Sequence, residues 1–162
     1  MTHPSVSLQS NISMPKDAPS RNLPIFTEEE VRERLHILLA GVQQYNDGYF
    51  FEAHETLEDL WMQSPWPIRR FLQGLIQLAA AFVHFARHEY PGTIRLLEHA
   101  LEKLGDFQPS YMGVDVERLR LEAGQARDEL IALGPERFDK FASERISKIT
   151  LLQSESGPAV RV

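Results

Sequence analysis

Apolar residues recur at steps of three and four along most of this chain, and that spacing suits helices. The clearest stretch is Val116, Leu119, Ala123, Ala126, Leu130 and Leu133, one stripe on a repeat of about 3.6 residues. Val31, Leu35, Leu38, Val42 and Tyr45 form another. No segment alternates apolar and polar residues as a half-buried strand would. The interruptions are short and rich in turn formers: Asn46-Asp47-Gly48, Ser64-Pro65-Trp66-Pro67, Tyr90-Pro91 and Gly134-Pro135. Short connections make consecutive helices antiparallel neighbours. The expected fold is all-α, a single-domain antiparallel bundle of about five to six helices.

The boundaries follow from local chemistry. Residues 1–24 are rich in Ser, Pro and Asn without a period, which predicts a disordered N-terminal tail. The helical domain is expected over 25–150 and a frayed tail over 151–162. Thr27 and Glu30 form a capping box, with Phe26 and Val31 spaced as a hydrophobic staple. Asp115 is the expected N-cap of a fifth helix. A sixth, carrying Phe138, Phe141 and Ile146, is expected to close the fold.

The run from Phe50 to Met62 carries the chemistry. At about 100° per residue, Phe50, Phe51, Ala53, His54, Leu57, Glu58, Leu60, Trp61 and Met62 share one broad arc. Glu52, Thr56, Asp59 and Gln63 fall opposite. His54 sits near the middle of the arc, Glu58 one step away and Glu55 at its margin. Buried charge is costly unless paired, protonated or metal-bound, so this placement calls for a partner. His54 and Glu58 are i,i+4 neighbours whose side chains can meet. Several readings follow: a structural polar network, a metal site, a small-ligand pocket, or acid–base work without metal by His54 with Glu58; His54, Glu55 and Glu58 are the catalytic candidates. His54-Glu55-x-x-Glu58 departs from the His-Glu-x-x-His of zinc proteases, because Glu58 replaces the second histidine. A divalent metal would need a third protein ligand.

The next helix, from about Ile68 to His88, is apolar round most of its circumference. It leaves a narrow stripe of Arg69, Arg70, Gln73, Gln77, His84 and His88. This stripe is expected to face the motif helix. Arg70 would neutralise Glu55 or Glu58, Gln73 and Gln77 would hydrogen-bond, and His84 would be the third metal ligand beside His54 and Glu58. Trp61 and Trp66 are expected in the core or as a lid.

Composition removes several classes. A net charge of −6, with Arg69 and Arg70 the only adjacent basic pair, argues against nucleic acid. The longest apolar run, Leu78 to Val83, is far short of the roughly 20 residues of a membrane span. There are no cysteines, hence no disulfide, thiolate ligand or thiol nucleophile. The expectation is a soluble cytoplasmic protein with a small ligand, a protein partner or a second copy of itself as its partner.

Asn46-Asp47-Gly48-Tyr49-Phe50-Phe51-Glu52-Ala53-His54-Glu55-Thr56-Leu57-Glu58-Asp59-Leu60-Trp61 resembles the signature of the domain-of-unknown-function 309 family. So does Phe71-Leu72-Gln73-Gly74-Leu75-Ile76-Gln77. Gly92-Thr93-Ile94-Arg95-Leu96-Leu97 is similar to its weaker third block, with Thr93 where Ala is commoner. The resemblance implies a small all-α cytosolic protein and no particular activity. On its motif positions it points to His54, Glu55, Glu58, Trp61, Gln73, Gly74 and Gln77.

The functional expectation is a helical module binding a small ligand or a metal through this cluster. The alternatives are a hydrolase-type enzyme using His54 and Glu58, and an interaction protein whose cluster is structural. Either site reading requires the polar groups to converge on an open cavity. The structural reading requires them to satisfy one another in a closed core.

Overall fold

A computed structural model describes residues 26–153. The expected N-terminal tail, residues 1–24, lies outside the described residues. Among the described residues five α-helices run in order: α1 (Glu28–Asn46), α2 (Phe50–Met62), α3 (Ile68–Ala86), α4 (Tyr90–Leu104) and α5 (Val116–Leu133). Each packs chiefly on the helix before and after it in the chain, as short connections dictate. The all-α helical bundle is confirmed.

The capping box forms as the sequence predicts. Glu30 N–H donates to Thr27 Oγ1 at 3.1 Å, and Thr27 N–H donates to Glu30 Oε2 at 2.7 Å. The Arg34 guanidinium lies 3.8 Å over the Phe26 ring. Gly48, with φ of 89°, turns the chain out of α1; only glycine adopts this region freely. Tyr90 and Pro91 open α4 rather than merely separating it from α3, since proline is preorganised for a first helical turn. Asp115 caps α5 by accepting from Arg118 N–H at 3.0 Å.

α3 is the most buried helix, with nine buried residues. Phe71, Leu72, Leu75, Leu78, Ala79 and Phe82 are wholly enclosed and belong to one continuous core. Close approaches tighten the bundle on both sides of it. A Cβ on Gly74 would come within 2.9 Å of the Leu104 side chain on α4. A Cβ on Gly41 of α1 would come within 2.7 Å of Leu57 on α2.

Three segments differ from expectation. Residues 105–115 hold a 3-10 turn (Gly105–Phe107) and a small hairpin of β1 (Ser110–Tyr111) and β2 (Val114–Asp115). The hairpin is antiparallel, with Ser110 opposite Asp115 and Tyr111 opposite Val114. Met112 and Gly113 both have positive φ, 49° and 79°, as a tight two-residue hairpin turn requires. A two-residue strand is too short to leave an alternation in the sequence.

The sixth helix is replaced by two 3-10 turns, Phe138–Lys140 and Ser143–Arg145. Short helices are marginal without packing. Here the packing comes from aromatic anchors instead: Phe138 lies edge-on to Phe85 and Tyr90, and Phe141 edge-on to Phe85. Phe141 and Ala142 are extended, which carries Phe141 onto Phe85 where a continuous helix would turn on.

Leu151 and Leu152, assigned to the tail expected over 151–162, are tied to the hairpin. Leu151 bridges to Val114, and Leu152 N–H donates to Gly113 O at 2.7 Å. Just before it, the Asn46 side chain clamps the Ile149 backbone, donating to its carbonyl at 2.9 Å and accepting from its N–H at 2.8 Å. Residues 154–162 lie outside the described residues.

The glycines give a test of this packing. Gly41→Ala gains about 1 kcal/mol of helix propensity but overpacks Leu57, at a cost of about 1–3 kcal/mol, so urea unfolding should show a net loss. Gly124, inside α5, has nothing within 4 Å of its would-be Cβ. Gly124→Ala should stabilise by about 0.5–1 kcal/mol. Equal gains at both positions would contradict the close approach of α1 and α2.

Candidate functional site

α2 buries Ala53, Leu57 and Leu60 against its neighbours. His54, Glu58 and Trp61, one step round the helix, stand at the rim of that contact. α3 presents Arg69, Arg70, Gln73 and Gln77 beside them. Together with Trp66 from the α2–α3 connection and Leu96 and Lys103 from α4, they line a hollow of about 850 Å³. Its floor is apolar, with Ile76, Ala80 and Leu96.

Six of the eight residues singled out from the sequence are brought together here: His54, Glu58, Trp61, Arg70, Gln73 and Gln77. Two are not. Glu55 is exposed and outside the hollow. His84 sits two turns beyond Gln77 on α3, with Nδ1 3.0 Å from Glu89 Oε1. That contact is within ion-pair range but is not aligned as a hydrogen bond, so Nδ1 has no donor or acceptor partner. The His84 ring also lies where a Gly92 Cβ would be, 2.7 Å from Nδ1.

The expected burial of Glu58 is also corrected: its side chain is 51% exposed. The apolar arc on the wheel is wider than the bundle covers: its Leu60, Ala53 and Leu57 side enters the core, while Phe51, Glu58 and Met62 on the other side are exposed. No desolvated carboxylate therefore demands a partner. Glu58 Oε2 lies 3.5 Å from His54 Nε2, and the His54 ring stacks on Phe51.

Arg70 does not neutralise Glu55 or Glu58. Its Nε donates to Asp106 Oδ2 at 2.8 Å, tying α3 to the 3-10 turn after α4. That turn does not exist as a partner until the chain has folded back. His84 and the His54–Glu58 pair are not assembled into one ligand set. Among the described residues no group of three or more His, Asp or Glu side chains is placed to hold an ion.

Three lining residues were missed as site residues. Arg69 stood in the polar stripe without a role; its guanidinium lies 3.8 Å over the Trp61 ring, a cation–π contact. Trp66 was a generic core or lid candidate, and it lines the hollow. Lys103, on a different helix, carried no sequence signal. Burial holds its amine below the usual lysine range, the Arg70 charge adds to this, and Glu102 opposes it.

Several polar atoms around the hollow are enclosed without a hydrogen-bond partner among the described residues: His54 Nδ1, Trp66 Nε1, Arg69 Nε and Gln77 Oε1. Buried polar groups are normally paired. Four of the nine such atoms among the described residues belong to side chains that line this hollow.

Fold and site together define a helical bundle with a largely apolar hollow, carrying a few polar groups, between its second, third and fourth helices. Residues 38–96 match the model of the family described as domain of unknown function (DUF309). That match bears out the resemblance of the sequence blocks over this segment. It is also similar to "Uncharacterized protein YpuF" of Bacillus subtilis (strain 168), 39% identical over 56 residues. That match covers 34% of this chain and 32% of the relative, so the chain spans about a third of that relative's length. The matched segment contains His54, Glu58, Trp61, Arg70, Gln73 and Gln77, while Lys103 and Asp106 lie beyond it.

Two measurements check this geometry. Glu58→Gln should change unfolding free energy by no more than about 0.5 kcal/mol, as expected for an exposed side chain; a loss of several kcal/mol would mean a structural cluster. Lys103 has its folded-state pKa below the unfolded value, so its penalty is present at neutral pH. That penalty fades as pH rises toward the ordinary value of 10.5. The difference in stability between Lys103→Gln and the parent should therefore favour the variant near neutrality and shrink as the pH rises. A pH-independent difference would show that Lys103 is not desolvated.

Proposed function

We propose that this protein is a small-ligand binding module, with the hollow between α2, α3 and α4 as its site. One observation carries the reading. His54, Glu58, Trp61, Gln73 and Gln77, set on two helices, line one solvent-open hollow rather than closing on one another in the core. A self-satisfied structural network would leave no such space and no unpartnered atoms around it. A site with a few polar groups on a largely apolar wall is the usual form of a small-molecule pocket.

The His54–Glu58 pair is the acid–base element of the site, with Nε2 and Oε2 3.5 Å apart. It supports the hydrolase version only as a refinement of the binding reading, because a substrate must first occupy the hollow. The metal version has less support, since His84 stands apart from the other two candidates.

No helix among the described residues is long and apolar enough to cross a membrane. This agrees with a module that meets its ligand from water, and a cytoplasmic setting remains part of the same proposal.

Native mass spectrometry tests the reading on protein purified without an affinity tag from its own source. A bound species in stoichiometric amount is expected. Ala80→Phe places a ring into the hollow and should abolish the adduct while the helical circular dichroism is retained. Parent protein that carries no adduct would count against the proposal, as would an adduct that survives Ala80→Phe.

A further inference from the structure

The charges around the hollow go beyond the fact of a pocket. Three cationic side chains line it, Arg69, Arg70 and Lys103, against one carboxylate, Glu58. This local excess stands on a chain whose net charge is −6. Glu58 is turned toward His54 at 3.5 Å, and Arg70 is paired with Asp106. Arg69 and Lys103 are left. Among the described residues neither has a carboxylate within 4.0 Å.

Their settings differ in a useful way. The Arg69 guanidinium carbon lies 3.8 Å over the Trp61 ring, a cation–π contact that restrains the group beside the hollow. A guanidinium is the side chain best suited to two parallel hydrogen bonds to one oxyanion. Lys103 reaches the same space from α4 as a partly desolvated point charge, with Arg70 near enough to repel it. Arg69 and Lys103 line the same hollow, and Arg70 repels Lys103 there; an anion bound in that space would offset this repulsion. The rest of the wall supplies flat apolar surface from Trp61, Trp66, Ile76 and Leu96. A cation would meet one carboxylate and two like charges, and a neutral apolar molecule would leave both cations unpaired.

We infer that the occupant of this hollow is a small organic oxyanion, a carboxylate or phosphate on a flat apolar body, with Arg69 and Lys103 gripping the anionic group. The inference rests on the ligand-binding reading above and names the chemistry of its ligand. Trp66 Nε1 and Gln77 Oε1, both without partners, add one donor and one acceptor at the wall. With small side-chain rotations they would discriminate among such anions.

The test uses two fluorescent probes on the full chain. Anilinonaphthalene sulfonate has a flat apolar body bearing an oxyanion, and N-phenylnaphthylamine has nearly the same body without the charge. The parent protein should bind the anionic probe at one site and the neutral probe more weakly. Arg69→Gln combined with Lys103→Gln should weaken the anionic probe by about tenfold or more, the equivalent of one charge-assisted hydrogen bond, and leave the neutral probe unchanged. Should the double variant not fold, the single variants carry the test, each with an expected loss of about threefold. Ala80→Phe should block both probes.

If the neutral probe binds as tightly as the anionic one, and the variants bind both like the parent, the oxyanion inference fails while the pocket stands. If neither probe binds, or Ala80→Phe affects neither, the ligand-binding reading itself fails and takes the inference with it.

Discussion

The burial of α3 between its neighbours is the constraint on which the rest of the bundle depends. Its apolar residues spread round most of the helix, so it must be covered on nearly every side. α2 covers one flank and α4 the other, and Gly74 lets α4 approach until Leu104 fills the place of a missing methyl group. A narrow polar stripe is the one part of α3 that cannot be covered. The hollow forms where that stripe meets the rim of α2. The site is thus a by-product of helix coverage: α2 is only 13 residues long, too slim to roof the polar edge of a 19-residue neighbour.

This origin accounts for the character of the site. Groups at the rim of a helix contact are half-buried, so polar side chains sit there without the full cost of desolvation. His54, Arg69, Arg70 and Gln77 all occupy that middle ground. Aromatic residues at the same rim provide the walls, and Trp61 serves twice, as a wall and as the platform that aligns Arg69. The C-terminal segment acts at a distance from all this. Its aromatics pack on Phe85 and Tyr90 at the end of α3 and the start of α4, and the Asn46 clamp ties it to the end of α1.

Much of the fold was legible in the chain because the signals are local. The bounds of α2, the capping box at Thr27 and the Asp115 cap depend on residues within one turn of each other. Phe138, Phe141 and Ile146 misled because apolar spacing reports which residues seek the core, not the backbone that delivers them. The gathering of His54, Glu58, Trp61, Gln73 and Gln77 was also legible, since each faces the boundary between two helices adjacent in sequence. Glu58 was wrongly placed inside the core because a helical wheel ranks residues by angle and knows nothing of the width of the partner helix.

What the sequence by itself determined is the five helices, most of their ends, and the two polar stripes that adjoin. Those properties follow from periodicity and capping, which act over a few residues. The tertiary structure alone decided the electrostatics of the site. Arg70 is drawn to Asp106, His84 to Glu89, and Lys103 enters the hollow from α4. Arg70 and Asp106 are 36 residues apart in sequence, and a charge of a few ångströms' reach finds such a partner only after the chain between them has folded.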